Sequence, residues 1–219
     1  GIAVQSARLG EKDLVSILNN HLAEQAKLRE TSGNGAKKKA AGVTAFEPIR
    51  VVHRLDQPVE GVLVFAKTKK AAAGLSKQVT DGTMKKTYQA VCCVTEKGRR
   101  WLENAEEWHA LTDYLVKDAR TNTSSVTEKG RKEAKEARLS FRIVARCGEL
   151  ALAEIALDTG RHHQIRVQMA HAGLPLYGDV KYNTAWRQYV GNGASGCAAD
   201  KMDLEATGKT EVPDCGEAA

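Results

Sequence analysis

Two short segments hold more ionisable side chains than a packed fold requires. His53-Arg54-Leu55-Asp56 stands where a β-branched run, Ile49-Arg-Val-Val-His53, breaks into a turn, and Thr159-Gly-Arg-His-His-Gln-Ile-Arg166 stands where another apolar run passes into a helical pattern. Such junctions let side chains leave the core while the core still positions them, so they suit a site. An Asp just past a buried strand is partly desolvated, which disfavours its anion unless a fixed cation faces it. Arg166 or Arg161 can supply that cation, because a guanidinium matches the carboxylate fork. Taken alone, the same residues also describe a structural ion pair.

Other chemistries fit these residues poorly. His162, His163 and His171 raise the question of a metal, but His163 and His171 are eight residues apart, where a helical ligand pair needs about four. No cysteine or paired carboxylates stand nearby to complete a shell, and a metal is not expected. No Ser lies in a G-x-S-x-G elbow. The Gly-rich basic stretch from Thr31 to Gly42 fails the phosphate-loop spacing, since Lys38 stands where Gly is required counting from Gly33. Residues 31–45 are expected to form a mobile basic loop, with Lys37, Lys38 and Lys39 touching backbone phosphates at most. Five cysteines, odd in number and without a C-x-x-C pair, fit neither a disulfide framework nor a zinc knuckle.

The elements that must position these segments can be read from periodicity. Leu14, Leu18 and Leu22 form one stripe of a helix over Glu11–Glu30, expected to pack on the core. Ile49–His53 and Gly61–Ala66 read as strands, with a turn at Pro58–Glu60 between them. A short helix over Lys69–Val79 follows, then a strand over Lys85–Val94 and a hairpin of Leu139–Cys147 with Glu149–Leu157 through Gly148. Ile165, Met169 and Ala172 place a helix over Arg161–Ala172, stopped by Gly173 and Pro175. The expected architecture is α+β, a mixed and mainly antiparallel sheet flanked by helices.

Charge narrows the partner. The 219 residues carry a formal net charge of +6, and residues 183–219 hold three basic and six acidic residues, which leaves the body at +9. A basic body suits a polyanion such as RNA. Only 5% of residues are aromatic, which argues against a sheet that reads single strands by stacking several bases. No apolar run approaches the ~20 residues that cross a bilayer, and no signal-peptide pattern is visible. A cytoplasmic monomer is expected.

In order along the chain, His53-Arg-Leu-Asp56, Gly61-Val-Leu-Val-Phe-Ala-Lys67, Lys86-Thr-Tyr-Gln-Ala90, Thr159–Arg166 and Pro175-Leu-Tyr-Gly-Asp-Val-Lys-Tyr182 resemble the RluA-type RNA pseudouridine synthases. The resemblance covers roughly residues 1–182 and implies the catalytic domain of that family, which isomerises uridine to pseudouridine without metal or cofactor. Ribosomal RNA is the first expectation for its substrate and transfer RNA the second. It puts the essential aspartate at Asp56, as nucleophile on C1′ or base on C2′, the conserved arginine at Arg166 as its partner, and the active-site tyrosine at Tyr88. It likens Arg54 to the arginine that fills the space a flipped base leaves. Arg161 and Gln164 are expected to bind phosphate or brace the site, Lys85 and Lys86 to contact the RNA backbone, and His53 to belong to the scaffold. A catalytically impaired, RNA-binding relative of the same fold is the alternative.

Two departures accompany the resemblance. The family has strands before the equivalent of Gly1 and a further strand after Tyr182, so the chain is expected to be truncated at both ends, with reduced stability. Residues 183–219 form an acidic, Gly-rich segment expected to be poorly ordered.

Overall fold

The computed structural model of the chain describes residues 2–6, 12–31, 47–56 and 59–186. Its centre is a five-stranded sheet of β3 (Thr87–Cys93), β4 (His109–Asp118), β5 (Thr123–Thr127), β6 (Lys135–Cys147) and β7 (Leu150–Leu157), in the order β3-β7-β6-β4-β5 with every pairing antiparallel. Alternation makes one face apolar: Ala137, Leu139, Phe141 and Ile143 on β6 and Ala151, Ala153 and Ile155 on β7 are all buried. Gly148, at φ +55°, turns β6 into β7 in the left-handed region that glycine enters without steric cost.

Helix α3 (Gln164–His171) lies on this face, with Met169 fully buried in the same cluster as Leu139, Phe141, Ile155 and Leu174. Each such side chain contributes roughly 1.5–3 kcal/mol when wholly removed from water. A 3-10 segment over Glu96–Leu102 closes the far end of the core, where Trp101 stands edge-on to Phe141 at 5.4 Å and donates its Nε1–H to the Ala172 carbonyl at 2.9 Å.

A smaller unit carries the first motif. β1 (Arg50–Val51) and β2 (Phe65–Ala66) pair antiparallel, and α2 (Lys69–Thr80), capped by the Thr68 hydroxyl accepting from the Ala71 N–H at 3.1 Å, packs against them. Helix α1 (Leu14–Thr31) begins at Asp13, whose carboxylate accepts from the Ser16 and Ser6 N–H groups.

Several expectations change in detail. Leu14, Leu18 and Leu22 are only half-buried and belong to neither core cluster; α1 is tied instead to β1, through Asn19 Oδ1 accepting from the Ile49 N–H at 2.9 Å. The two β-branched runs contribute only two paired residues each, because residues 52–56 and 59–64 lie outside the ladder. Helix α3 starts three residues later than its apolar pattern, since His163 sits at φ +53°. Asn183, expected to open a poorly ordered segment, is 2% exposed and donates its Nδ2–H to the Leu176 carbonyl, so packing continues past Tyr182. The expectations for residues 32–45 and 187–219 lie outside the described residues. No described helix is long and apolar enough to cross a membrane.

Candidate active site

Asp56 is held by the looping connection between β1 and β2. The Val64 N–H donates across that connection to His53 Nε2 at 3.2 Å, and the Val59 N–H donates to the Asp56 carbonyl at 2.8 Å. His53 is thereby fixed as a neutral ring with its proton on Nδ1, and burial, then the Lys86 charge, lower its pKa. This is the scaffold role its position implied. The Asp56 side chain is 45% exposed, and its Oδ2 lies 3.9 Å from His163 Nε2.

His163 belongs to a chain of groups that sequence reasoning left unassigned. Tyr182 Oη accepts the Ser124 N–H at 2.8 Å and lies 2.7 Å from His163 Nδ1, so the phenol proton points to Nδ1 and the imidazole carries its own proton on Nε2, toward Asp56. His162 stacks on His163 with centroids 3.8 Å apart, and is itself held by Ser124 Oγ at Nδ1 and Asn122 Oδ1 at Nε2. Burial, then the His162 and Arg166 charges, push the His163 pKa down to about 4. The sign follows directly. A histidine whose folded pKa lies near 4 against 6.5 when free stabilises the fold above pH 6.5 and loses that contribution as the pH falls toward 4. His53 and His162 act in the same direction. Denaturant midpoints measured across this range are expected to drop with pH, and His163→Gln to flatten the drop.

Arg166 is not the direct partner of Asp56. Its Nε and one terminal nitrogen both donate to Asp179, each at 2.7 Å, in a bidentate pair whose carboxylate is 4% exposed. Asp179 also accepts from the Lys181 and Tyr182 N–H groups, and the Arg166 guanidinium lies over the Tyr182 ring at 5.0 Å. The expected Asp56–Arg166 ion pair is therefore replaced by Asp179–Arg166, for a physical reason: the turn at Gly178, φ +77°, presents Asp179 to the buried side of α3, whereas Asp56 stands at the exposed mouth. Asp56 still acts on Arg166 through its field, after the Asp179 hydrogen bonds.

These groups border a cleft of about 540 Å³ lined by Arg54, Asp56, Lys86, Tyr88, His163 and Arg166 among others. Asp56 is the one acid among the described lining residues, and Arg54, Lys86, Lys117, Arg161 and Arg166 surround it with positive charge. Tyr88, on the inward face of β3, is half-buried; burial and then the Asp56 charge raise its pKa, so the phenol keeps its proton at neutral pH. Lys85 is exposed and does not line the cleft, unlike Lys86. Arg161 donates its Nε–H to the Glu136 carbonyl at 2.8 Å and lines the cleft. Gln164 is 3% exposed: its Oε1 accepts from Thr159 Oγ1 and the Arg161 N–H, and its Nε2 donates to the Arg138 carbonyl. Of the two roles expected of Gln164, bracing fits and phosphate contact does not, because its polar atoms are already engaged.

The sequence pattern of RNA pseudouridylate synthases matches residues 18–171. The chain belongs to the RNA pseudouridylate synthase family. It is 33% identical to the tRNA pseudouridine synthase C of Vibrio cholerae, over 60% of this chain and 54% of that one. It is 31% identical to the ribosomal large subunit pseudouridine synthase D of Zymomonas mobilis, over 66% of this chain and 42% of that one. The chain thus spans about half the length of the curated relatives it matches. The solved structure of human RNA pseudouridylate synthase domain containing 4 superposes with a TM-score of 0.59 over 83% of this chain and 62% of that one, at 19% identity, which bears on the fold. Within this family fold, the Gly178-Asp-Val-Lys-Tyr182 segment supplies Asp179 and Tyr182. A glycine followed by an acid in a turn was the available signal for Asp179; nothing local marks Tyr182 as a partner of His163.

Proposed function

We propose that the chain isomerises uridine in RNA to pseudouridine, with ribosomal RNA as the first candidate substrate and transfer RNA the second. The observation that carries this is a single carboxylate, Asp56, at the mouth of a cation-lined cleft backed by Tyr88, in a chain of this family. The reaction breaks N1–C1′, turns the uracil, joins C5 to C1′, releases the C5 proton and returns one to N1. Reaching C1′ requires extruding the nucleotide, at a cost of a few kcal/mol.

In this reading Asp56 acts at the sugar, as nucleophile on C1′ or base on C2′. Arg54, exposed at the cleft mouth, fills the space left by the extruded base. Lys86 and Arg161 place positive charge where the phosphates run, Lys85 adds to the field from outside the cleft, and Arg166, held by Asp179, acts on Asp56 through its field. Tyr88 offers its ring to the uracil; because its phenol holds its proton, it works by stacking and hydrogen bonding rather than as a phenolate base. His163 is a positioning residue that directs its Nε2–H toward Asp56, oriented by Tyr182. Tyr182→Phe is therefore expected to lower kcat about fivefold, the worth of one hydrogen bond of about 1 kcal/mol, with KM little changed. A loss confined to KM would contradict that role.

The direct test is release of tritium from RNA labelled at uracil C5, using total ribosomal and transfer RNA from cells lacking the enzyme. Release establishes isomerisation and identifies the pool. Binding without release would favour the RNA-binding alternative.

A further inference from the structure

Beside the catalytic cleft lies a second cavity of about 390 Å³, lined by Leu115, Lys117, Ser124, Glu133 and Lys135 on one side and by Gly160, Arg161 and His162 on the other. Lys117, Gly160, Arg161 and His162 line both spaces, so the two adjoin across one shared wall. The cavity is built by the sheet. Leu115 pairs with Lys135 and Lys117 with Ser124, and residues directly opposite or two apart share a face. Lys135 therefore continues the stripe of Ala137, Leu139 and Phe141, and both lysines lie on the same face as the core, at its exposed end.

Two exposed lysines side by side on the face that elsewhere carries the core invite a partner. Inward lysines can guard an exposed sheet edge; β4 and β6 are interior strands over most of their length, but their pairing ends at Leu115 opposite Lys135, so Lys117 stands beside an open stretch of β4 where a strand of another molecule can approach. Neither Lys117 nor Lys135 forms a salt bridge among the described residues. Three cations, Lys117, Lys135 and Arg161, thus face one acid, Glu133, over a floor of buried Leu115 and Ser124. That combination suits an anion attached to a partly apolar body, and the volume is within the range of small-ligand sites.

We infer that this cavity is a subsite for the nucleotide next to the one isomerised, with its phosphodiester held by Lys117, Lys135 and Arg161 and its sugar over Leu115. The inference rests on the proposed action on RNA and deepens it: the strand leaves the catalytic cleft past His162 and crosses the β4–β6 end of the sheet.

Phosphate contacts are independent of sequence, so the test needs neither the natural target nor turnover. A short fluorescent oligouridylate and uridine monophosphate are titrated against the full chain over a range of salt. Lys135→Ala is expected to reduce the slope of log K against log salt for the oligouridylate by about 0.7, the value of one phosphate on a single strand. It should leave the affinity for the mononucleotide unchanged. Glu133→Gln is expected to tighten oligouridylate binding, an effect that damage to the fold would not produce. An unchanged slope for Lys135→Ala, an equal loss for both probes, or no tightening with Glu133→Gln would each overturn the subsite. Loss of tritium release with these binding effects intact would remove the isomerase reading and keep the subsite; release with an unchanged slope would do the reverse.

Discussion

Asp56→Asn is expected to lower isomerisation by about four orders of magnitude or more, the scale on which losing a group at the reacting atoms acts. The amide matches the carboxylate in size but neither attacks C1′ nor takes a proton from C2′. Local structure should survive, because the turn is held by backbone and His53 contacts rather than by the carboxylate: Val59 N–H on the Asp56 carbonyl and Val64 N–H on His53. RNA affinity should be retained or slightly improved, since the substitution removes the one acid among the described residues of a cationic cleft. Tritium release and binding measured on the same preparation check both halves. A variant that keeps a tenth of the native rate would move the chemistry away from Asp56.

What could be seen of this site in the sequence, and what could not, follows from the range of the interactions involved. Asp56 and the Arg161–Arg166 segment stood out because they lie at a strand end and a strand-to-helix junction, whereas Tyr88, and the choice of Arg166, came only from the resemblance to the family. The pairing of Arg166 with Asp179 spans thirteen residues and depends on how a turn folds back on α3, and the contact between His163 and Tyr182 spans nineteen. No periodicity encodes such closures. Strands β4 and β5 were missed for a different reason. Thr112, Asp113, Lys117, Asp118 and Thr123 interrupt the apolar alternation because this end of the sheet meets α3 partly through polar contacts, Asp113 accepting from Gln168 Nε2 and lying 2.9 Å from His171 Nδ1, and otherwise borders a cavity and solvent, so the usual strand signal is absent. The hairpin of β6 and β7, by contrast, supplies most of the buried apolar cluster and was legible apart from the first four residues of β6, Lys135–Arg138, whose alternation is broken by charge.

Gly98→Ala is expected to be the most damaging small substitution in the described chain, although it lies far from the cleft in sequence and chemistry. A Cβ built on Gly98 falls 2.2 Å from the Gly173 carbonyl oxygen and 3.0 Å from Leu174 Cδ2, and one built on Gly173 falls 2.5 Å from the Gly98 nitrogen. The obstacle is backbone on both sides, so no rotamer change relieves it. Gly173 also needs its φ of +88° to end α3, and around it Thr95 Oγ1 donates to the Gly173 carbonyl at 2.8 Å while Trp101 donates to that of Ala172. Forcing the 3-10 segment away from α3 would loosen these bonds and open the packing of fully buried Leu174 and Met169. Overpacking of this kind costs about 3 kcal/mol or more, which for a domain of this size lowers Tm by roughly 6–12 °C. The consequence reaches function because the other end of α3 carries Arg166, and the turn before it carries His163. Thermal melts should therefore fall first, with kcat declining at temperatures where the native chain is still fully folded. An Ala variant that melts within a degree of the native chain would mean that the two backbones can separate without disturbing the core.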